Sequence, residues 1–271
     1  DRFEELCKKH NPACVILVHV LGFPNHMKEI LRICEKYDVL LLEDSCESVG
    51  TVVRSENKKT GSMGLMSSFS TYFGHHFSTI EGGLISTDDF ELYEILKSIR
   101  SHGWSRDLSE PTRKSLREEH NVDPFSELYT FYYPGFNIRS TDLQAFIGIN
   151  QLNTLALKNR KRHANLLAYD GLIKNDYWKV KFDGFVSNFA YPVIHPNKDR
   201  IVKALQSNDV ECRPLVCGNM AQQPYFKKLY GPHTFMFADK VHSEGLYVPN
   251  HPELSEQDIE KISNIINKET T

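Results

Sequence analysis

The order of apolar runs over residues 13–44 restricts this chain to a small set of folds. Ala13–Val20 is an apolar run interrupted only by His19, which is typical of a strand buried on both faces of a sheet. Apolar residues then recur at helical spacing over 27–37, and a second apolar run covers Val39–Leu42. This strand–helix–strand order predicts two neighbouring parallel strands. Asp44 follows the second strand and is therefore expected at the carboxyl edge of the sheet, where α/β proteins bind ligands.

The rest of the chain predicts further strands and helices in two groups. Strands Leu65–Thr71 and Gly83–Ser86 and a helix over Phe90–Ile99 are expected first. A long irregular loop with a helical piece is expected over 101–136, followed by a long helix capped by Ser140 and running to about residue 170. The later elements expected are strands 185–194 and 210–215, a helix over 199–208 and a last helix from about 255. We predict an α/β large domain over 1–155 and a small α+β domain over 156–271.

Composition excludes several classes of protein. A net charge of −3 provides no broad basic field, so nucleic acid is not an expected partner. No apolar run approaches the roughly 20 residues that span a bilayer, and the first residues do not resemble a signal peptide, so neither a membrane span nor a signal peptide is expected. The six cysteines include no Cys-x-x-Cys pair, which predicts reduced thiols in a cytoplasmic protein.

Polar residues that could form a site occur in four short segments. These are Glu43–Glu47, the run from Ser70 through His75 and His76 to Gly83, the segment 100–104 (Arg-Ser-His-Gly-Trp), and the segment 135–139 (Gly-Phe-Asn-Ile-Arg). Each also has a plain structural interpretation. Acids can cap a turn after a strand, serines can face solvent, a histidine pair can be structural, and an asparagine can belong to a turn before a helix cap.

Together these segments resemble the DegT/DnrJ/EryC1/StrS family of sugar-nucleotide aminotransferases over nearly the whole chain. The resemblance implies an aspartate aminotransferase-like fold (fold type I) that binds pyridoxal 5′-phosphate (PLP). It implies that Asp44 binds the PLP ring nitrogen, that Glu47 faces the phenolic oxygen, and that Ser70 binds the phosphate. It further implies a homodimer in which Asn137 reaches the cofactor phosphate of the neighbouring subunit.

His75 occupies the position where most members of that family have the lysine that binds PLP covalently. An imidazole has no primary amine, but it can transfer protons near neutral pH. The histidine-bearing members are 3-dehydratases. The resemblance therefore implies that glutamate converts PLP to pyridoxamine phosphate (PMP), and that His75 then acts as the base while the C3 hydroxyl of a nucleotide-linked 4-keto-6-deoxy sugar leaves. His76 and Arg139 are candidate substrate contacts. We expect a role in dideoxysugar synthesis for lipopolysaccharide.

Some histidine-bearing relatives carry an iron–sulfur cluster, and this chain is expected to lack one. No cysteine occurs between Cys46 and Cys212, the region where those relatives have their cluster ligands. The absence favours the guanosine-linked type of substrate, although the sequence does not fix the base or the sugar stereochemistry. Metal is not expected elsewhere, since a zinc site that uses His19 and His102 has no further ligands at a suitable spacing.

Two other functions remain open at this stage. An ordinary aminotransferase would need another lysine, and Lys58 and Lys59 lie in a polar turn. A non-catalytic ligand-binding homologue would also tolerate the loss of the lysine. In addition, nothing before Val15 matches the amino-terminal segment with which family members begin. We therefore expect a large domain that is incomplete at its amino terminus.

Overall fold

The computed structural model describes residues 2–174 and 178–270, which form a mixture of helices and short strands. The helices are α1 (Arg2–His10), α2 (Met27–Tyr37), α3 (Phe90–Ile99), α4 (Glu110–His120), α5 (Asp142–Leu172), α6 (Lys198–Gln206), α7 (Pro224–Tyr230), α8 (Met236–Glu244) and α9 (Glu256–Thr270). The strands are β1 (Cys14–Val18), β2 (Leu40–Asp44), β3 (Val52–Val53), β4 (Lys58–Lys59), β5 (Met66–Ser70), β6 (Gly83–Ser86), β7 (Ala190–Ile194), β8 (Arg213–Pro214) and β9 (Gly245–Pro249).

A four-stranded sheet of order β1-β2-β5-β6 positions the candidate site. β1, β2 and β5 are parallel and β6 is antiparallel to β5, so the predicted parallel pair is confirmed. Asp44 is the last residue of β2, and it pairs in register with Ser68 of β5. Because side chains alternate between faces along a strand, Ser70 lies on the same face as Ser68 and Asp44.

The prediction that β1 is buried on both faces is wrong. Its residues alternate between exposed and half-buried, and Ile16 and Val18 are 67% and 45% exposed. β6 is exposed along its whole length. Among the described residues, none covers the exposed side chains of β1 and β6. Their apolar groups therefore remain in contact with solvent.

A separate antiparallel sheet of order β7-β9-β8 forms the centre of the second core. Helices α6 and α9 pack beside this sheet, and each presents an apolar stripe to it. The most deeply buried side chains of this core are Leu166, Tyr169, Val186, Ile201, Leu205, Leu246, Val248, Ile259 and Ile266. These side chains belong to one continuous apolar cluster.

The described chain divides into two compact units. The first contains the chain up to Val18, Glu29–Cys46 and Gly61–Asn153. The second contains His19–Lys28, Glu47–Thr60 and the chain from Thr154 onward. The assignment of 1–155 and 156–271 as large and small domains stays a prediction.

Several predicted element ends differ from the structure. The hydroxyl of Thr141, rather than that of Ser140, accepts the hydrogen bond that starts α5, from the Gln144 N–H at 3.4 Å. β7 begins only at Ala190, and β8 has two residues instead of six. No helix in the described part of the chain is long and apolar enough to cross a membrane.

Candidate active site

The ring of His75 is fixed by a backbone carbonyl. Its Nδ1 lies 2.7 Å from the carbonyl oxygen of Cys46, two residues beyond Asp44. A carbonyl oxygen only accepts hydrogen bonds, so Nδ1 carries the proton and, in the neutral ring, the lone pair lies on Nε2. The half-buried imidazole is thus held in one orientation with Nε2 as its proton acceptor.

Asp44 and Ser70 provide an acceptor and a donor at the carboxyl edge of the sheet. Asp44 Oδ1 accepts from the Cys46 N–H at 3.1 Å, and its Oδ2 has no hydrogen-bond partner among residues 2–174 and 178–270. Ser70 Oγ accepts from the Tyr72 N–H at 3.2 Å, and its own proton has no acceptor in that part of the chain. Both side chains can therefore bind a further group.

Glu43, for which the motifs predicted no individual role, organises the loop that precedes β5. Its carboxylate is 1% exposed and accepts from the N–H groups of Met63 and Gly64 at 2.7 Å and of Gly61 at 2.9 Å. Three backbone N–H donors converge on this one buried carboxylate, which holds the loop in place. The available signal is a charged residue that directly follows the three leucines of β2.

The loop that carries His75 and His76 contains a turn. The His75 N–H donates to the Tyr72 carbonyl at 3.0 Å, as in a β-turn. The turn leaves His75 half-buried and His76 only 3% exposed. Further along the loop, Ile80 adopts φ +73°, an uncommon conformation for a β-branched residue. A contact of His76 with substrate stays a prediction.

The segments 100–104 and 135–139 cross at two glycines. A Cβ atom on Gly103, which has φ +88°, would lie 1.7 Å from the Tyr133 carbonyl oxygen. A Cβ on Gly135 would lie 2.3 Å from the Gly103 nitrogen. This close crossing places Asn137 opposite Ser101 in a β-bridge and leaves the Asn137 side chain exposed, without a hydrogen bond to any described residue.

Glu47 belongs to the second compact unit, where it binds the backbone. Its Oε2 accepts from the Leu21 N–H at 2.6 Å. Leu21 itself has φ +53°, which the carboxylate helps to hold. The predicted role of Glu47 at the cofactor is not tested by this contact.

Among the described residues, no group of three or more His, Cys, Asp or Glu side chains could hold a metal ion.

Comparison with known proteins identifies the family. The model of the DegT/DnrJ/EryC1/StrS aminotransferase family matches residues 3–267. The chain belongs to this family. A relative from Yersinia pseudotuberculosis, GDP-4-keto-6-deoxy-D-mannose 3-dehydratase, is 36% identical in an alignment of 265 positions that covers 94% of this chain and 66% of that protein. This member of the DegT/DnrJ/EryC1/StrS family thus spans slightly less than two thirds of the length of that relative.

Two solved structures share the fold. One is GDP-4-keto-6-deoxymannose 3-dehydratase with a trapped PLP–glutamate geminal diamine, at 31% identity and a TM-score of 0.83. The other is a variant of the same enzyme with bound GDP-perosamine, at 31% identity and a TM-score of 0.82. Each superposition covers 97% of this chain and 70% of the solved chain. The prediction of an aspartate aminotransferase-like fold is confirmed.

Proposed function

We propose that this chain catalyses the PLP- and PMP-dependent removal of the C3 hydroxyl from a nucleotide-linked 4-keto-6-deoxy sugar. The substrate proposed is GDP-4-keto-6-deoxymannose, with glutamate as the amino donor, in the synthesis of a dideoxysugar. The observation that carries the proposal is His75, which has no primary amine and is oriented as a base by the Cys46 carbonyl. Two solved relatives, one with a PLP–glutamate adduct and one with a GDP-sugar, support it.

The residues of the first unit fit PLP. Asp44 Oδ2 is an available carboxylate oxygen that would accept from the protonated ring nitrogen. The Ser70 hydroxyl would donate to the phosphate. When bound, PLP supplies an electron sink for the carbon from which a proton is removed. With histidine at position 75, the cofactor would be held by these polar contacts and not by a covalent bond.

His75 would move the proton in the reaction. Its Nε2 would accept a proton from the carbon beside the cofactor nitrogen, because Nδ1 is already occupied by the Cys46 carbonyl. The Nδ1–H···O bond also stabilises the imidazolium that forms, since the donor becomes more strongly polarised. A charge-assisted bond of this kind keeps the ring in place after protonation.

We also propose a homodimer with shared sites and a cytoplasmic location. Leu143, Phe146 and Ile149 form an exposed apolar stripe on α5, each at least 64% exposed, close in sequence to Asn137. Such a stripe favours an isologous contact, across which Asn137 could reach the cofactor phosphate of the partner. The six free cysteines favour a reducing compartment.

The decisive experiment is incubation of the protein with GDP-4-keto-6-deoxymannose, PLP and glutamate, followed by mass spectrometry of the products. The expected products are a nucleotide sugar that lacks one oxygen, 2-oxoglutarate and ammonia. Omission of glutamate should stop turnover once the PMP present is used. A 4-amino sugar as the main product would instead identify an aminotransferase, and binding of PLP without any product would favour the non-catalytic alternative.

A further inference from the structure

One stripe of α5 meets the loop that carries His75. Gln144, Gly148 and Gln151 follow one another at the spacing i, i+4, i+7, which places them on the same side of a helix. Gly148 is buried and both glutamines are half-buried, although most of the residues between them are exposed. All three contact the segment 78–81 of the loop. The stripe therefore presents two side-chain amides and a small central residue to this segment.

Gln151 pairs with the backbone of Ser78 much as a neighbouring strand would. Its side-chain oxygen accepts from the Ser78 N–H at 3.0 Å, and its Nε2 donates to the Ser78 carbonyl. A side-chain amide offers both an acceptor and donors, so a single glutamine satisfies both backbone groups of one residue. Ser78 is half-buried, and leaving these two groups unpaired would be costly. Gln151 thus fixes the position of Ser78.

Gln144 and Gly148 fix the rest of the segment. Gln144 Nε2 donates to the Glu81 carbonyl at 2.6 Å, and its Oε1 accepts from the Thr141 N–H at 2.8 Å. The contact with Thr141 orients the amide so that Nε2 faces the loop. A Cβ atom on Gly148 would lie 3.0 Å from Thr79 Cγ2, so a larger side chain would push the helix and the loop apart.

The segment held by α5 is also joined to the chain just beyond β5. The Thr79 N–H donates to the Thr71 carbonyl at 2.8 Å, and the hydroxyl oxygens of the two threonines are 2.6 Å apart. Residues 72–77 therefore span between two fixed ends, and His75 lies among them. So short a span restricts the imidazole, which lets the fixed ends determine whether Nδ1 reaches the Cys46 carbonyl.

We propose that Gln144 and Gln151 are positioning residues for His75. By holding the segment 78–81 they keep Nδ1 at the Cys46 carbonyl and direct Nε2 as the proton acceptor. The inference rests on the proposed function, in which His75 is the base. Such positioning matters because a displacement of about 1 Å at a reacting group can slow a reaction by about 10²-fold.

The first test observes the imidazole without cofactor, sugar or turnover. In protein labelled at its histidine nitrogens, nitrogen chemical shifts distinguish the two neutral tautomers, and the signals of His75 are those absent from His75→Asn. The parent should show only the Nδ1–H form. Gln151→Glu keeps the side-chain length and the acceptor for the Ser78 N–H, but it loses the donor to the Ser78 carbonyl. His75 should then leave the Cys46 carbonyl in part of the molecules and populate both tautomers.

Turnover provides the second measurement. Gln151→Glu should lower kcat about 10- to 100-fold and change KM for the sugar little, because it misplaces the base and retains the groups that bind substrate. Gln144→Glu loses the donor to the Glu81 carbonyl and should have the same two effects to a smaller degree. Urea unfolding first establishes that each variant is folded, and Gln144→Glu decides the question if Gln151→Glu is not.

The matched control is Gln206→Glu, the same chemical change at an exposed residue of α6 in the second unit. It should leave the His75 tautomer and kcat unchanged. Parent-like tautomers in folded Gln151→Glu and Gln144→Glu proteins would overturn the proposal, and so would a tautomer mixture in the control.

The two measurements also separate the positioning role from the proposed reaction. A tautomer mixture in the loop variants of a protein whose parent does not dehydrate the sugar would support the positioning role and refute only the reaction. Dehydration by the parent, with the His75 tautomer undisturbed in both loop variants, would refute only the positioning role.

Discussion

At the scale of single residues, the chemistry depends on which atom of His75 is already used. A lysine at this position would join its own amine to the cofactor carbon that carries the amine of PMP. It would therefore compete with the condensation of PMP and the substrate ketone. Histidine removes that competition and retains a base. The Cys46 carbonyl then decides the tautomer and leaves Nε2 as the acceptor. A backbone contact two residues beyond Asp44 thus links the proposed cofactor acid to the proposed base.

Substitutions of His75 test this arrangement. His75→Asn should lower turnover by about 10² to 10⁴, because it removes the base and retains much of the shape. His75→Lys should bind PLP covalently, so that borohydride reduction adds a phosphopyridoxyl mass at residue 75. The parent protein, treated in the same way, should show no modified lysine. An adduct on Lys58, Lys59 or any other lysine of the parent would contradict the noncovalent cofactor, and normal turnover of His75→Asn would assign the base elsewhere.

At the scale of elements, hydrophobic periodicity and turn signals predicted the helices and strands whose bounds are decided by local sequence. The bounds of α3 and β6 match the prediction, because each has a clear periodicity or a turn signal at its ends. α7 and α8 were missed because neither buries a residue, so their sequences lack an amphipathic pattern. The loop contacts of Glu43 were missed because they join residues that are about 20 positions apart in the chain.

For the candidate site, the motifs predicted that Asp44 lies at the edge of the sheet and identified the segment that carries His75. They did not predict the hydrogen bonds that these residues form. Asp44 was expected there because it follows an apolar strand. The bond between His75 and Cys46 depends on how the loop after β5 folds back over 29 residues, which no local pattern encodes. The turn at His75 forms because the Tyr72 carbonyl accepts a hydrogen bond from the His75 N–H.

The crossing of segments 100–104 and 135–139 should be sensitive to a single methyl group. Gly103→Ala would place a Cβ 1.7 Å from the Tyr133 oxygen at a φ of +88°, so the backbone must move. We expect a loss of at least about 2 kcal/mol in the free energy of unfolding, measured with urea. Gly171→Ala is the control. That residue lies in α5 with nothing within 4 Å, and the change should be neutral or stabilising by up to about 1 kcal/mol. Equal effects of the two substitutions would show that the crossing is looser than described.

The loop after α4 should lose stability in acid. Glu127 is 3% exposed, and hydrogen bonds from Arg113, then Arg117 and Ser105, lower the pKa of its carboxyl from 4.5 to about 2. A lowered folded-state pKa contributes stability in full above the unfolded value, and the contribution disappears as the pH falls from about 4.5 toward about 2.

Glu127→Gln should therefore destabilise the protein at pH 7 by about 2–4 kcal/mol and flatten the decline in stability below pH 4.5. Urea unfolding at several pH values measures both effects. Glu118→Gln on α4 is the matched control, since that carboxylate is 69% exposed and pairs only at 3.8 Å with Lys114. A parallel pH dependence in Glu127→Gln and the parent would mean that other carboxylates dominate acid unfolding.

At the scale of the whole molecule, the exposed surface near Asn137 suggests assembly. Leu143, Phe146 and Ile149 form an apolar stripe whose exposure to water is unfavourable. The Asn137 side chain makes no hydrogen bond to any described residue. An obligate interface buries roughly 2,000 Å² or more. Phe146→Glu should place a charge in such an interface and shift the protein to monomers, as measured by sedimentation equilibrium. Lys158→Glu, a charge change farther along α5, should leave the mass unchanged.

Shared sites make a stricter prediction for mixed dimers. If Asn137 of one subunit serves the site that contains His75 of the other, Asn137→Ala and His75→Asn proteins are each inactive alone. Mixed after dissociation, they should form heterodimers in which one site combines an intact Asn137 with an intact His75. Random pairing makes half of the dimers mixed, and one of their two sites works, so activity should approach about a quarter of the parent level. Two tagged chains, separated by affinity, allow the heterodimer to be assayed directly. Heterodimers that form but show no activity would place Asn137 and His75 of the same chain in one site.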